Sequence, residues 1–344
     1  MSENRRFIEE WAEQSAVMIA WPHEHTDWAY MLDEVEKCYT NIAKAILEYE
    51  NLIIITQKRE HVKSLIGDKH KFNVTYVNLP TNDTWCRDFG AISIEKDNHI
   101  AICDFKFNAW GGKFNWELDN SVTTEMIKQN LFSCEKINCL DFILEGGSIE
   151  TDGKGTLLVT SQCLLTSTRN AHMSKIEIES YLCKTLGVRK VLWLDFGAFA
   201  GDDTDSHIDT LARIAPNNSI IYAGCDNKSD EHYNELKKME KQLSTFTNVD
   251  NEPYKLYKLP FPTPIYDEEG ERLPATYANY LIVNGAVLVP TYNQPENDTK
   301  ALAVIREVFP SYEVVGVNCN ALIKQHGSLH CITMQFPQNI FNRI

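Results

Sequence analysis

The chain has 344 residues, 43% of them hydrophobic and 24% charged, the make-up of a folded globular protein with material for a sizeable core. Its net charge of −15 is spread without long like-charge blocks, a field that repels nucleic acid and anionic membranes and draws cations. No stretch nears the ~18 apolar residues of a membrane span. The opening MSENRRFIEEWAEQ offers no apolar signal segment, so a cytoplasmic protein with neither nucleic-acid nor membrane partners is expected.

Taken from the N-terminus, Ala16–Trp21 reads as a strand, followed by a helix over about Met31–Glu48 and a strand at Asn51–Thr56. The helix sets Val35, Tyr39, Ile42 and Ile46 on one face, the spacing of a buried stripe. Next come Phe89–Ile94, the turn Lys96-Asp97-Asn98, Ile100–Phe105 and a helical stretch near Thr123–Asn130. The pattern of strand, tight turn, strand, helix, strand is clearest in the middle of the chain. Gly147–Thr151, Asp152-Gly153-Lys154-Gly155 and Thr156–Thr160 are followed by a helix from about Ser174 and by Arg189–Leu194. Ser174 with Glu177 has the spacing of a capping box, and Gly187 stands where a left-handed residue ends a helix. A further unit runs His207–Ile214, Pro216-Asn217-Asn218, Ser219–Ala223, a helix near Glu231–Gln242, and Tyr254–Leu259. The last full unit runs Tyr280–Val283, Asn284-Gly285, Ala286–Pro290, a helix near Thr299–Phe309, and Tyr312–Val317. Asn-Gly between two β-branched runs is a strong hairpin signal. Finally Leu329–Gln335 completes a fifth unit only by pairing with Ala16–Trp21.

Five similar units closed end to end predict an α/β fold of propeller type, a five-bladed ring with pseudo-fivefold repeats whose N- and C-terminal strands close it. The competing reading is an ordinary α/β sheet with many hairpins. Length alone suggests two domains, but no linker or low-complexity stretch interrupts residues 1–344, so one catalytic domain is expected. The ten cysteines include no C-x-x-C pair and read as reduced, mostly buried thiols, neither a disulfide framework nor a zinc site.

Four segments stand out chemically. Cys331 lies in a polar-flanked stretch, Gly327-Ser328-Leu329-His330-Cys331, and is a credible nucleophile or else a buried strand cysteine. In Ser206-His207-Ile208-Asp209, a strand would point His207 and Asp209 to one side, for proton transfer and cation binding or as a solvated surface pair. In Thr84-Trp85-Cys86-Arg87-Asp88, Asp88 can accept two parallel N–H bonds from a guanidinium, and Trp85 offers a flat wall for a cation. The same segment also reads as an internal Arg87–Asp88 contact beside a core tryptophan. Glu145 precedes Gly146-Gly147, where backbone passes close to something else, a weak signal alone. Together they supply one thiol, one imidazole and three carboxylates, more acid than a thiol protease needs. The surplus suits a substrate whose reacting group is a permanent cation, such as a guanidinium.

The chain resembles the agmatine deiminases and the related bacterial peptidylarginine deiminases of the guanidino-modifying superfamily. The matching stretches are WPHEHTDW (21–28), TWCRDFGAI (84–92), FNAWGGK (107–113), EGGSIETDGKGTLLVT (145–160), DTDSHIDTLARI (203–214), VPTYNQPENDTKAL (289–302) and HCITMQFP (330–337). They run in order over nearly the whole chain. The resemblance implies a five-bladed α/β propeller, with Cys331 as nucleophile and His207 as general acid/base. It further implies that Glu145 orients His207, that Asp88 and Asp209 clamp the guanidinium, and that Trp85 lines the pocket. Ser206 stands where the family has Gly, Ala91 where Pro is frequent, and His326-Gly327-Ser328 replaces a glycine-rich run. Agmatine is the expected substrate, converted to N-carbamoylputrescine through a covalent thiouronium. Peptidylarginine or free arginine, amidino transfer, a cysteine protease and a non-catalytic polyamine binder are the rival readings.

No cofactor or metal is expected: TDGKGT (151–156) lacks phosphate-loop spacing, and His23, His25 and Asp27 are a poor metal set without a further grouped ligand. The partner expected is a small cationic guanidino compound; the sequence leaves self-association into a homo-oligomer open. Asp202, Asp203 and Asp205 are candidates to meet a distal amine.

Overall fold

The computed structural model describes residues 3–342 and builds one small mixed sheet five times. In chain order the sheets are Arg5–Phe7 with Ile92–Lys96, His99–Lys106 and Glu135–Ile143; Ile149–Thr151 with Thr156–Thr160 and Lys190–Leu194; Ala212–Ala215 with Ser219–Ala223 and Lys255–Leu259; Leu281–Val283 with Ala286–Thr291 and Glu313–Asn318; and Thr333–Pro337 with Gln14–Ala20, Asn51–Ile55 and Val74–Val77. Each contains a short antiparallel pair, whose second strand then pairs in parallel with a third. Parallel strands need a crossover, and helices Glu117–Lys128, Lys175–Leu186, Tyr233–Leu243, Pro295–Val308 and Leu32–Ile46 supply one per sheet. The two ends of the chain meet in the last sheet, where Thr333 pairs with Ile19 and Phe336 with Ala16.

Local chemistry accounts for the punctuation. Ser174 and Glu177 form the reciprocal capping box, and Gly187 ends that helix at φ +74°. Asp97 and Asn98 both take positive φ between the paired residues Lys96 and His99, the two-residue turn whose twist matches a hairpin. The stripe of Val35, Tyr39, Ile42 and Ile46 is fully buried. Strands Thr156–Thr160 and Ser219–Ala223 are buried along their whole length, as parallel strands covered on both faces are. All ten cysteines are free thiols.

The structure corrects the strand boundaries in one consistent way. The first strand of each unit begins later than the sequence suggests, at Ile92, Ile149, Ala212, Leu281 and Thr333. The residues read as the front of those strands make single turns instead: Cys86–Phe89 and Ile208–Leu211 are one-turn helices, Gly146–Ser148 is a 3-10 turn, and Leu329–Ile332 is a turn. Apolar alternation continues through such a turn, so periodicity alone does not separate it from the strand that follows. The helix Arg59–Ile66 and the strands Arg5–Phe7, Val74–Val77 and Glu135–Ile143 lie outside the predicted pattern.

Candidate active site

The single turns carry the candidate site residues, and their segments are stitched to one another. Gly147 N donates to Asp88 Oδ1 (3.0 Å), Ile214 N to Glu150 Oε2 (3.2 Å) and Thr276 Oγ1 to the Thr210 carbonyl (2.9 Å). His330 N donates to the Asn279 carbonyl and Arg87 N to the Cys331 carbonyl, both at 3.2 Å. Five segments distant in sequence thus form a closed cycle of hydrogen bonds, beginning and ending at the Cys86–Phe89 turn.

Glycine 147 sits inside this cycle. A Cβ there would stand 2.6 Å from His207 Nδ1, 2.9 Å from Asp88 Oδ1 and 3.1 Å from Asp209 Oδ2, so only a bare backbone lets the imidazole and both carboxylates converge. His207 and Asp209 meet there for a different reason than the strand geometry expected. Asp205 and Ser206 adopt φ of +64° and +67°, the chain reverses, and Ile208–Leu211 winds one helical turn immediately after His207. Cys331 Sγ lies 3.4 Å from Asn279 Oδ1 and 3.9 Å from Asp209 Oδ2. Asp88 accepts from Trp110 Nε1 at 2.9 Å and lies 3.6 Å from His207 Nδ1. Trp85 donates to Asp83 Oδ2 at 3.0 Å, and its ring lies 6.5 Å from that of Trp110 at 73°.

Glu145 differs from expectation in its bonding. Its carboxylate lies within 4.8 Å of both His207 and the Cys163 thiol, but its hydrogen bonds go to Arg169 Nε, at 2.8 and 3.1 Å. Both ring nitrogens of His207, and Asp209 Oδ1, are buried without a hydrogen-bond partner among the described residues. Natural interiors rarely leave such groups alone unless something else is to meet them.

Burial and charge set the protonation pattern. His207 is pushed up to about 10: burial opposes this, but the charge of Asp88 first, then the nearby Cys163 side chain and the charge of Glu145, outweigh it, so an imidazolium is favoured. Asp88 is raised to about 6 although it faces that imidazolium, because its own burial and the nearby Asp209 and Glu145 act against the charge. Asp209 is buried too, yet the hydrogen bond from His330 and the charges of His207 and Arg213 hold it below the ordinary range. Burial, then Asp209 and Asp88, push the Cys331 thiol well above its usual value.

A cavity of about 150 Å³ opens above this arrangement, lined by Cys331, Asp88, Trp85 and Trp110 and by the carboxylates Asp27, Asp83 and Asp203. His326 is its single basic lining residue. Of the acidic cluster expected to meet a distal amine, Asp203 lines the cavity, whereas Asp205 pairs with Arg169 and Asp202 accepts from Thr204 and Ser206.

The sequence reading left out Trp110, Asn279, Cys163, Arg169, Arg213 and His330. Trp110 and Arg213 stand in family stretches and His330 adjoins Cys331, so these three had a signal; Asn279, Cys163 and Arg169 become visible only through their contacts. Two groups of potential metal ligands occur among the described residues, Glu145–Cys163–His207 and Glu10–Glu150–His330. In each an arginine already supplies the positive charge: Arg169 pairs with Glu145, and Arg213 with Glu10 and Glu150. His23 and His25 face each other with ring centroids 6.0 Å apart, and His23 Nδ1 accepts from the His25 backbone.

Comparison with known proteins places the chain in a family. Residues 6–337 match the model of the Porphyromonas-type peptidyl-arginine deiminase family. The chain is 31% identical to an agmatine deiminase of Ectopseudomonas mendocina, over 95% of this chain and 94% of that one. It superposes with TM-score 0.94 on a Porphyromonas gingivalis protein solved under the name of an arginine deiminase, at 49% identity, covering 98% of this chain and 100% of that one. A C. jejuni agmatine deiminase solved with substrate bound gives TM-score 0.90 at 38% identity, covering 97% and 96%. The chain therefore belongs to the Porphyromonas-type peptidyl-arginine and agmatine deiminase family, hydrolases that act on the guanidino group.

Proposed function

We propose that this deiminase acts on agmatine, with Cys331 as nucleophile, His207 as general acid and base, and Asp88 and Asp209 as the guanidinium clamp. The five sheets are then blades of one α/β propeller, and the cycle of turns is its inner rim. The thiolate of Cys331 attacks the guanidinium carbon, and the His207 imidazolium protonates the departing ammonia, leaving a thiouronium on sulfur. His207, now neutral, takes a proton from water as its oxygen adds to the same carbon; the C–S bond then breaks with its electron pair returning to sulfur, and the remaining hydroxyl proton passes to that thiolate, restoring the thiol and releasing N-carbamoylputrescine. Acidic neighbours disfavour thiolate in the empty site, and a bound cation between Asp88 and Asp209 offsets them, so the thiol loses its proton to solvent as substrate arrives. Glu145 acts by its charge beside His207 and is itself held by Arg169.

The observation that carries the choice of agmatine is the lining of the cavity: four aspartates and no lysine or arginine. The α-carboxylate of free arginine would face Asp27, Asp83 and Asp203 with no strong cation to receive it, whereas a second amine fits them. Asp83 is already raised to about 7 by burial and by Asp27, and an ammonium beside it would restore its charge. Trp85, Trp110 and Phe114 supply an apolar wall for a methylene chain. The test is ammonia release from agmatine, free arginine and an arginyl peptide, by wild type and Cys331→Ala. A preference for agmatine of about 100-fold or more in kcat/KM is expected, the scale of an uncompensated charge in a buried site. Similar rates on all three substrates would overturn the substrate, and activity surviving in Cys331→Ala would overturn the mechanism.

A further inference from the structure

We propose that His330, the residue before the nucleophile, is a positioning residue: its Nδ1–H fixes one oxygen of Asp209 so that the other stays free and charged for the substrate. The inference rests on the reading of Asp209 as part of the guanidinium clamp. His330 is 1% exposed, and its Nδ1 lies 2.8 Å from Asp209 Oδ2. Its Nε2 lies 3.0 Å from Arg213 Nη2 and 2.9 Å from Glu10 Oε1. A charged carboxylate can only accept, so the contact with Asp209 places a ring hydrogen on Nδ1, while Nε2 lies between a guanidinium that only donates and the Glu10 carboxylate, which only accepts. Burial and the charges of Arg213 and Arg87 outweigh Glu10 and Asp209 and hold His330 below its ordinary range, which favours a neutral ring with its hydrogen on Nδ1.

The ring cannot drift. Arg213 is bonded to Glu150 and Glu10 and donates to the Tyr280 and Ala278 carbonyls, and Arg87 donates to Glu10 at 3.1 Å. The His330 backbone N–H is held in turn by Asn279 Oδ1 at 2.9 Å. Asp209 Oδ1 has no hydrogen-bond partner, so it is the oxygen left for a ligand. The groups facing Asp209 are His330, His207 and Arg213, which favour its charge, and Asp88, Glu150 and the Cys331 thiol, which gain or lose with it. Without the Nδ1–H bond the buried carboxylate keeps its acidic neighbours and is left with only the weak Cys331 thiol contact at 3.9 Å, so it takes up a proton more readily and grips a cation less well.

Two amide substitutions separate this role from mere packing. Asn places an N–H where Nδ1 stood, whereas Gln places its amide where Nε2 stood and offers Asp209 nothing. Agmatine binding to Cys331→Ala carrying either change is measured by calorimetry from about pH 5 to about pH 8, with kcat/KM profiles of the single variants alongside. His330→Gln is expected to weaken binding by about tenfold or more at the acid end and to steepen the acid limb from a slope of one towards two, since Asp209 then titrates with Asp88. His330→Asn is expected to keep the wild-type profile. Variants that fold but behave alike, whether both defective or both normal, would overturn the proposal, because the direction of the donor would then not matter. Failure of the parent protein to bind or deiminate agmatine would instead strike the functional reading.

Discussion

Two clusters of buried charge lie side by side in this molecule and are built on opposite rules. Around Cys331, the His207 ring nitrogens and Asp209 Oδ1 are buried with no hydrogen-bond partner. On the other side of His330, Glu10, Arg87, Arg213 and Glu150 are fully engaged, each carboxylate facing a guanidinium and Arg213 additionally bound to two carbonyls. One cluster is satisfied by the chain itself; the other keeps polar atoms open, as the proposed guanidinium site requires. Burying charge without partners is unfavourable, so an enzyme that needs free carboxylates has to brace them with ones that are paired. His330 touches both clusters.

The contrast yields a pair of opposed outcomes. Cys331→Ala should abolish deimination, by a factor on the order of 10⁴ or more, while denaturant unfolding shifts by only about 1 kcal/mol, because a small, neutral side chain is trimmed. Arg213→Met should do the reverse in stability, costing about 3–5 kcal/mol by stranding Glu150 in the interior and leaving Glu10 to Arg87 alone. Should Arg213→Met unfold no more easily than wild type, the paired cluster is not the brace proposed here.

A smaller effect tests the unpaired side by pH. Asp88, raised to about 6, has to be ionised to hold a cation, so kcat/KM in the free enzyme should fall roughly tenfold per unit as pH drops below about 6. A profile flat down to about pH 5 would remove Asp88 from the clamp. The smallest effect concerns the backbone between the clusters. Ser206 is held at φ +67°, the left-handed region that favours glycine, with its hydroxyl buried and unpartnered among the described residues. Ser206→Gly should gain about 1 kcal/mol in equilibrium unfolding, since relief of the left-handed strain and of the orphaned hydroxyl exceeds the added chain entropy. A loss of stability would show that the serine has a bonding role.

Which elements were legible follows from how local their causes are. The capping box at Ser174, the left-handed Gly187, the Asp97-Asn98 turn and the stripe on Leu32–Ile46 each depend on residues a few positions apart, and each is present. The pairing of the chain ends was readable because two orphan half-units needed one another. The single turns before the strands were not readable, since their apolar spacing continues that of the strands; hence His207 and Asp209 converge through a reversal at Asp205-Ser206 and not through a shared strand face. The identities of Cys331, His207, Asp88, Asp209, Glu145 and Trp85 stood out by residue type and motif. What surrounds them did not: Arg169 comes to Glu145, Trp110 to Asp88, Asn279 to Cys331 and Arg213 to His330 only once the sheets assemble.

By itself, then, the sequence determined the repeated unit, its punctuation and the supply of one thiol, one imidazole and several acids, because short-range patterning and side-chain chemistry suffice for those. Tertiary structure decided which charges are neutralised and which are left open. That choice is made by partners up to hundreds of residues apart, such as Glu10 and His330, whose meeting depends on closing the chain on itself.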